Sequence, residues 1–421
     1  MTILFSSLSL SSGLVLQNRI AKAAMEENMA EPGQIPGEGL INLYSRWAND
    51  GPGLIISGNV MVAPDAMTGP GGVYLGKETL SDAGVRQSFE RWAKAGKENG
   101  TVLFMQVSHP GRQVYATMKT DPVSASDTKV TMEGMADKMF VPARALTGDE
   151  IRGMIERFAD TAEGAKEIGF DGVEIHAAHG YLVAQFLSPL TNLRADEWGV
   201  SLENRARFLL EIIRAVRARV GDDFGVAVKL NSADFQRGGF KGSDAKTVVE
   251  WLNKERVDFV ELSGGSYESA AMMGVPDVDE GRSSTLSREL YFIDFAKDIS
   301  SIAQMPLMVT GGVTKRATAE AALSEGGVDI VGIARAYGFN ANLVSDWKAD
   351  KNLEIALPTI KSKKPELKVL GLMSMTKENL VRMGAGQAPK AKYMLMPTII
   401  KSQMRQASQT KRYRKWLEER L

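Results

Sequence analysis

The sequence predicts an α/β protein whose core is a parallel (β/α)8 TIM barrel. Three observations predict it: eight short apolar runs, helical segments between them, and no GxGxxG motif after the first run. Alternating strands and helices indicate a parallel sheet, and the count of eight favours closure into a barrel. An open doubly wound sheet is the competing arrangement, and it would carry its glycine motif at the first turn. The eight predicted strands are Arg19–Ala24, Gly53–Asn59, Thr101–Ser108, Gly172–His176, Gly225–Asn231, Asp258–Ser263, Pro306–Gly311 and Asp329–Ala334.

The segments between the strands have the apolar spacing of helices that pack on a sheet. In Ser201–Val220 the apolar residues recur one helical turn apart, and Asp149–Ile168 shows the same pattern. Ala317–Ser324 is shorter and rich in alanine. These three segments predict helices on the outside of the barrel.

Three further segments lie outside this repeat. Leucines spaced two apart on either side of a Ser-Ser-Gly turn predict an N-terminal β-hairpin over residues 8–16. Residues 110–147 are rich in Gly, Pro, Asp and Ser, and they predict a long excursion over the top of the barrel. Residues 350–421 are expected to be helical. The predicted division is therefore a barrel over residues 1–349 and a C-terminal extension over residues 350–421.

The end of the extension, residues 401–421, is basic, with seven Lys and Arg residues against two Glu. Tyr413, Trp416, Leu417 and Leu421 share a helical spacing. This pattern predicts a helix that packs on its own barrel or on a partner subunit, with solvated basic residues outside. A membrane-surface helix and a disordered tail are the alternatives.

The composition excludes several classes of function. The 51 Lys and Arg residues balance 51 Asp and Glu, which argues against a dedicated nucleic-acid binder. The absence of cysteine excludes disulfides, thiolate metal sites, cysteine-held iron–sulfur clusters and a cysteine nucleophile. The N-terminus lacks the pattern of a signal peptide, and no run reaches the ~20 apolar residues of a membrane span. We therefore expect a cytoplasmic protein without a nucleic-acid or membrane partner.

All three histidines of the chain fall on one face of the predicted barrel. His109 and His176 each end a strand, His179 follows soon after, and Gln106 and Lys229 lie near the ends of their strands. In a barrel of this kind the chemistry lies at the carboxyl ends of the strands. We assign His109 a scaffold role and expect the other two histidines to be functional. Their H-x-x-H spacing also suits a metal, but the loop between them supplies no carboxylate, so we predict no metal site.

A second group of residues follows the last two strands. Gly311 and Gly312 come after the seventh strand, and Ala334 and Arg335 close the eighth. Loops in these positions commonly bind phosphate through backbone N–H groups and a helix N-terminus, and Arg335 would add a bidentate donor. The alternative is that the two glycines form only a tight turn.

Six stretches of the sequence resemble the Old Yellow Enzyme family of FMN-dependent ene-reductases. They are LQNRIAKAAM, GPGLIISGNV, FMQVSHPGR, GFDGVEIHAAHGYLVAQFLSPLTNLRADEWGVSLENRARF, and VTGGVTKRA with IVGIAR. The resemblance runs from about residue 3 to about residue 348, and its fourth stretch is long and highly specific. It implies a flavoprotein that runs on FMN and external NADH or NADPH, since the chain lacks the cysteines and the length of larger relatives that add an iron–sulfur cluster.

The resemblance implies where FMN would bind. Gln106 would hydrogen-bond the pyrimidine edge of the flavin, Lys229 would lie beside flavin N1, and Asn59 would meet the isoalloxazine. The residues against the flavin ring at the end of the first strand would be Ala23, Ala24, Met25 and Glu26. The phosphate site would consist of Gly311, Gly312, Ala334 and Arg335.

The resemblance also implies the chemistry. His176 and His179 match the pair that holds the substrate carbonyl, and Tyr181 matches the proton donor. A carbonyl held by two imidazole N–H groups is electron-poor, so its conjugated Cβ accepts a hydride from flavin N5 while the tyrosine protonates Cα. The expected reaction is NAD(P)H-dependent reduction of the activated C=C bond of a small α,β-unsaturated carbonyl compound. Whether the chain forms a homo-oligomer stays open.

Two positions depart from the family pattern. Lys229 keeps the charge but not the bidentate geometry of the arginine that the family commonly has. Glu26 stands where many members carry a Thr or Cys that tunes the flavin, and an ionised carboxylate cannot donate a hydrogen bond. Amine oxidation or demethylation on the same flavin barrel is therefore the first alternative function, and a non-flavin barrel lyase or binding protein is the second.

Overall fold

The computed structural model describes residues 2–420 except 133, 266–267, 269–294, 351 and 363. In chain order its strands are β1 Leu8–Ser9, β2 Val15–Leu16, β3 Ile20–Lys22, β4 Leu54–Ile56, β5 Val60–Met61, β6 Val73–Tyr74, β7 Val102–Ser108, β8 Val123–Ser124, β9 Arg144–Ala145, β10 Gly172–Ala177, β11 Gly225–Asn231, β12 Phe259–Ser263, β13 Leu307–Thr310 and β14 Ile330–Ile333.

Eight of these strands form a closed parallel barrel. They pair in the order β3, β4, β7, β10, β11, β12, β13 and β14, and β14 pairs back onto β3. Every predicted strand overlaps one of them. The predicted (β/α)8 fold class is therefore confirmed.

Helices cover the outside of the barrel. They are α1 Glu38–Asn49, α2 Ala83–Gly96, α3 Gly148–Glu167, α4 Leu182–Leu187, α5 Leu202–Val220, α6 Gly242–Leu252, α7 Arg316–Glu325, α8 Leu343–Ala349, α9 Pro365–Gly384 and α10 Leu395–Glu418. The start of α3 is fixed by a capping box between Thr147 and Glu150, and Ser201 caps α5. Both helices bury the apolar stripe that their spacing predicts.

The barrel interior is layered along its axis. The predicted hairpin of β1 and β2 covers the amino ends of the strands, where Leu10 and Leu16 pack in the lowest inward layer. Phe104 and Phe259 fill that layer with ring centroids 5.4 Å apart. Gly172 leaves room for them, because a Cβ at this position would lie 2.5 Å from the Phe104 ring. The bottom of the barrel is thus apolar and closed, and polar inward residues lie nearer the carboxyl ends.

The C-terminal extension is helical, as predicted, and its last helix packs on the barrel. Tyr413 of α10 is buried, and its hydroxyl donates to the carbonyl of Pro64 at 3.0 Å. Gln409 donates its side-chain amide to the carbonyl of Asn28 at 2.8 Å. Leu421 lies outside the described residues, and the division into a barrel and an extension stays a prediction. In the described part of the chain, no helix is both long enough and apolar enough to cross a membrane.

Candidate active site

The inward positions above the apolar layer carry charged and polar side chains. Glu174 of β10, Lys229 of β11 and Glu261 of β12 lie on three neighbouring strands, and Lys229 is directly opposite Glu261 in the register. The ammonium of Lys229 contacts Glu261, and both side chains are buried. Gln106 of β7 donates its amide to Glu174 at 2.6 Å. Two predicted site residues, Gln106 and Lys229, therefore share one buried layer with two carboxyl groups.

The two carboxyl groups differ in their ionisation. Burial, and then the charge of Glu261, raise the pKa of Glu174 well above its usual range, and Lys229 opposes this only in part. Burial alone would also raise the pKa of Glu261, but the adjacent ammonium of Lys229 outweighs it and holds that pKa below its usual range. The surroundings thus favour the protonated form of Glu174 and the ionised form of Glu261, which is paired with Lys229.

The next layer toward the mouth holds His176 and His179 in a hydrogen-bonded chain. Nε2 of His176 lies 3.1 Å from Nδ1 of His179, and Nε2 of His179 lies 2.7 Å from the hydroxyl of Ser263 on β12. The backbone of His179 has a left-handed φ of 59°, and its N–H donates to the side chain of Asn231. Its carbonyl accepts a hydrogen bond from Gln113 in the loop after β7. Separate segments of the chain thus hold this pair in place.

Both histidines are neutral in the folded protein. Burial lowers the pKa of His176 well below its usual range, and His179 and Lys229 lower it further. Burial and then Lys229 lower the pKa of His179 to about 3. Each neutral imidazole has one N–H donor and one acceptor nitrogen. Nδ1 of His176 is buried without a hydrogen-bond partner among the described residues, so this atom is available to a ligand.

Tyr181 stands directly against the histidine pair. It lies immediately before α4 and is 5% exposed, and its ring centroid is 4.7 Å from that of His176. Its backbone N–H donates to the carbonyl of Ala178, which tightens the turn between β10 and α4. The structure therefore brings together His176, His179 and Tyr181, the three residues that the sequence predicts to hold and protonate a substrate.

His109 makes the contact of a scaffold residue. Its Nδ1 accepts the backbone N–H of Gly111 at 3.0 Å, and burial followed by the charge of Arg157 lowers its pKa to about 3. Within the described ranges, no group of three or more His, Cys, Asp or Glu side chains could hold a metal ion.

The ends of the first two barrel strands form another part of the mouth. The side chains of residues 23–25 are buried or half-buried after β3. Glu26 accepts a hydrogen bond from the hydroxyl of Thr68 at 2.6 Å. Asn59, between β4 and β5, lines the same crevice as Glu26. The structure thus brings Glu26 and Asn59 together, and it supplies Glu26 with a hydroxyl donor.

The residues predicted to bind phosphate lie at the ends of two adjacent strands. Gly311 and Gly312 follow β13, Ala334 and Arg335 follow β14, and the two strands pair in parallel. Gly312 is exposed with a left-handed φ of 38°, which glycine adopts without strain. Arg335 is exposed, and α7 begins just after the glycine turn. This arrangement offers an anion backbone N–H groups, a helix N-terminus and a guanidinium.

Comparison with known proteins decides the family. The profile of the NADH:flavin oxidoreductase / NADH oxidase family matches residues 3–354. This chain belongs to that family. The NADH-dependent flavin oxidoreductase iliE of Hypocrea jecorina is 37% identical over 345 residues, which cover 79% of this chain and 86% of the relative.

Two further likenesses agree with this NADH:flavin oxidoreductase assignment. The 12-oxophytodienoate reductase 7 of Oryza sativa subsp. japonica is 31% identical over 356 residues, which cover 80% of this chain and 86% of the relative. A solved structure of an Old Yellow Enzyme homologue from Zymomonas mobilis superposes with a TM-score of 0.69 at 24% identity, covering 87% of this chain and 98% of that chain. The family model thus confirms the predicted NADH:flavin oxidoreductase membership, and the Old Yellow Enzyme homologue shares the fold.

The family uses FMN as its cofactor and a nicotinamide as electron donor. The residues present fit such a group. Gly312 and Arg335 offer donors to a phosphate, and the buried, unpartnered Nδ1 of His176 marks a ligand position at the mouth. Which individual residues hold FMN stays a prediction.

Three residues of this site were missed from the sequence: Glu174, Glu261 and Ser263. The alternation of side chains along a strand could have identified the two acids. Glu174 lies two residues before His176, and Glu261 lies two residues before Ser263. Residues spaced in this way face the same side of a strand, so each acid lies one layer below a residue of the histidine chain.

Proposed function

We propose that this protein is an FMN-dependent NAD(P)H oxidoreductase that reduces the activated C=C bond of α,β-unsaturated carbonyl compounds. The observation that carries the proposal is the neutral pair of a buried His176 and a half-buried His179, with Tyr181 packed against His176. A relative named as a reductase of 12-oxophytodienoate, an oxo compound by its name, supports a carbonyl substrate.

The histidine chain supplies one N–H donor to the carbonyl oxygen, because both ring nitrogens of His179 are engaged by Ser263 and His176. If the hydroxyl of Ser263 donates to Nε2 of His179, then Nδ1 of His179 donates to Nε2 of His176. Nδ1 of His176 then carries the free N–H, which can donate to a substrate oxygen. Donors fixed in advance stabilise the negative charge that develops there, and they draw electrons from the conjugated Cβ. When bound, FMN supplies a hydride from N5 to that carbon.

Tyr181 completes the addition. Its buried ring lies beside His176, so a substrate held by the histidine lies within reach of the phenolic hydroxyl. A proton from this hydroxyl to Cα, together with the hydride at Cβ, saturates the double bond and leaves the carbonyl intact. Electrons enter from NADH or NADPH. Lys229 and Gln106 hold the flavin edge in this proposal.

The proposal is tested by anaerobic visible spectroscopy of the FMN-loaded protein. We expect NADH or NADPH to bleach the flavin absorbance and 2-cyclohexenone to restore it. A flavin that bleaches but is not reoxidised by enones would refute the substrate class, and it would direct attention to amine substrates. A protein that binds no FMN would refute the proposal as a whole.

Tyr181→Phe separates the two half-reactions. We expect reoxidation of the reduced flavin by 2-cyclohexenone to slow by about 100-fold, the lower end of the contribution of a positioned acid. Reduction of the flavin by nicotinamide needs no proton at Cα, so its rate is expected to stay within about twofold. Stopped-flow absorbance measures both rates. Equal losses in both half-reactions would exclude Tyr181 as the proton donor.

A further inference from the structure

Lys229 is enclosed by two carboxyl groups. Its neighbouring strands carry Glu174 on one side and Glu261 on the other, and all three side chains are at most 4% exposed. The pair of Lys229 and Glu261 is built into the register of β11 and β12, in which these two residues stand opposite each other. The contact therefore belongs to the barrel wall and does not depend on a mobile loop.

The layer has room for only one ionised carboxylate. Two buried carboxylates beside one ammonium would be costly, because like charges repel strongly away from water. Glu261 contacts Lys229, whereas Glu174 receives the amide of Gln106. The remaining oxygens, Oε1 of Glu174 and Oε2 of Glu261, have no partner within hydrogen-bond distance among the described residues. The carboxyl group of Glu261 interacts with that of Glu174 and with the hydroxyl of Thr310. One proton on Glu174, donated to Glu261, satisfies both oxygens.

The resulting layer holds one positive and one negative charge. A lone cation beside a flavin stabilises the reduced, anionic form more than the neutral oxidised form, and a carboxylate bound to that cation cancels the effect. Resting on the proposed FMN site, in which Lys229 lies beside flavin N1, we propose that Glu261 lowers the reduction potential of the bound FMN by neutralising Lys229. Glu174, being protonated, has no such effect. The lower potential makes the reduced flavin a stronger hydride donor.

The test compares Glu261→Gln with its matched control, Glu174→Gln, in anaerobic redox titrations of the FMN-loaded protein against reference dyes. Glu261→Gln removes the negative charge that contacts Lys229. Burial is the largest cause of the raised pKa of Glu174, so we expect Glu174 to stay protonated and Lys229 to be left uncompensated. We expect the variant to favour the reduced flavin at least tenfold, which is about 30 mV for a two-electron couple. Glu174→Gln replaces a protonated acid with a neutral amide of similar shape. We therefore expect the equilibrium between reduced and oxidised flavin to shift by less than about threefold.

The double variant Lys229→Gln/Glu261→Gln keeps the test decisive if the single Glu261→Gln protein does not fold. The double variant leaves no buried charge in this pair. We therefore expect the equilibrium between reduced and oxidised flavin to stay within about threefold of the wild type. If the potential of the double variant lies about 30 mV or more below that of the wild type, the reduced flavin is disfavoured at least tenfold. Lys229 would then act as an uncompensated cation in the wild type, and the proposal would be overturned. An unchanged potential in Glu261→Gln, or an equal rise in Glu174→Gln, would overturn it as well.

These outcomes are distinct from failure of the proposed function. If the wild-type protein binds no FMN, the proposed flavin site is wrong. If it binds FMN but the reduction potential does not change when the charge of Glu261 is removed, only the inference about Glu261 is wrong.

Discussion

Lys22 is a buried cation between the barrel and α1, and Lys22→Met measures what it contributes to stability. Its side chain has no exposed surface. The ammonium lies 3.3 Å from Glu27, 3.0 Å from the carbonyl of Ile56 and 4.3 Å from the ring centre of Trp47. Methionine keeps the apolar stem but carries no charge. The variant therefore leaves Glu27 buried without its cation.

The expected cost follows from what remains around Glu27. Removing one partner of a buried ion pair costs about 3–5 kcal/mol, because the other charge is left uncompensated. Glu27 keeps the hydroxyl of Tyr44 at 2.7 Å and the N–H of Gly58 at 3.3 Å. These two donors partly stabilise the carboxylate, so we expect the free energy of unfolding to fall by about 3 kcal/mol, the lower end of that range.

The assay is urea unfolding of the FMN-loaded protein, followed by tryptophan fluorescence. The matched control is Lys22→Met/Glu27→Gln, in which the amide oxygen still accepts from Tyr44 and neither partner is charged. We expect this double variant to recover at least half of the lost free energy, or about 1.5 kcal/mol. A loss below about 1 kcal/mol in Lys22→Met would refute the reasoning, because it would equal the contribution of a solvated surface pair.

Two further predictions concern the histidines. Ser263→Ala is expected to weaken the binding of a phenol, used as a ligand of the histidine pair, to the FMN-loaded protein about fivefold, which is equivalent to one hydrogen bond of about 1 kcal/mol. Ser263→Thr is expected to restore this binding. Titrations followed by charge-transfer absorbance measure the affinity, and an unchanged affinity in Ser263→Ala would contradict the hydrogen-bonded chain. His109→Asn is expected to flatten the pH dependence of unfolding while keeping an acceptor for the N–H of Gly111. Burial lowers the pKa of His109 from 6.5 to about 3, so the unfolded chain binds a proton that the folded chain rejects. His109 should therefore account for about 1.4 kcal/mol of the loss of stability per pH unit between pH 6.5 and about 3, beside the losses from His176 and His179, and an equal slope in the variant would disprove this contribution.

The positions of the barrel strands could be predicted from sequence, but their ends could not. The predicted strand Gly53–Asn59 is in register with its neighbours over Leu54–Ile56, and the N–H of Ser57 makes one more hydrogen bond, to the carbonyl of Phe104 at 2.9 Å. Beyond that point the hydroxyl of Ser57 donates to the carbonyl of Gly58, and the N–H of Gly58 donates to the hydroxyl of Tyr44 at 3.1 Å. The backbone leaves the sheet because of a side chain from another element, which local periodicity does not contain.

The sequence located the candidate site but not its electrostatics. The sequence places two histidines at strand ends and Lys229 near the end of another strand. Because parallel strands end at the same edge, this pattern predicted a single polar mouth. The contact between Lys229 and Glu261 depends on the register of two strands joined through a helix, which no local pattern specifies. Lys22 shows the same limit, because lysine in a strand usually indicates an exposed position, whereas here Glu27 and Trp47 enclose it.

The packing of α10 links the end of the chain to two of its earliest loops. Gln409 holds the loop after β3 at Asn28, which lines the crevice that contains Glu26, and Tyr413 holds the loop after β5 at Pro64. On a translating ribosome these loops emerge long before the helix that braces them. These two loops therefore reach their braced form only after α10 has emerged, which is later than every strand of the barrel.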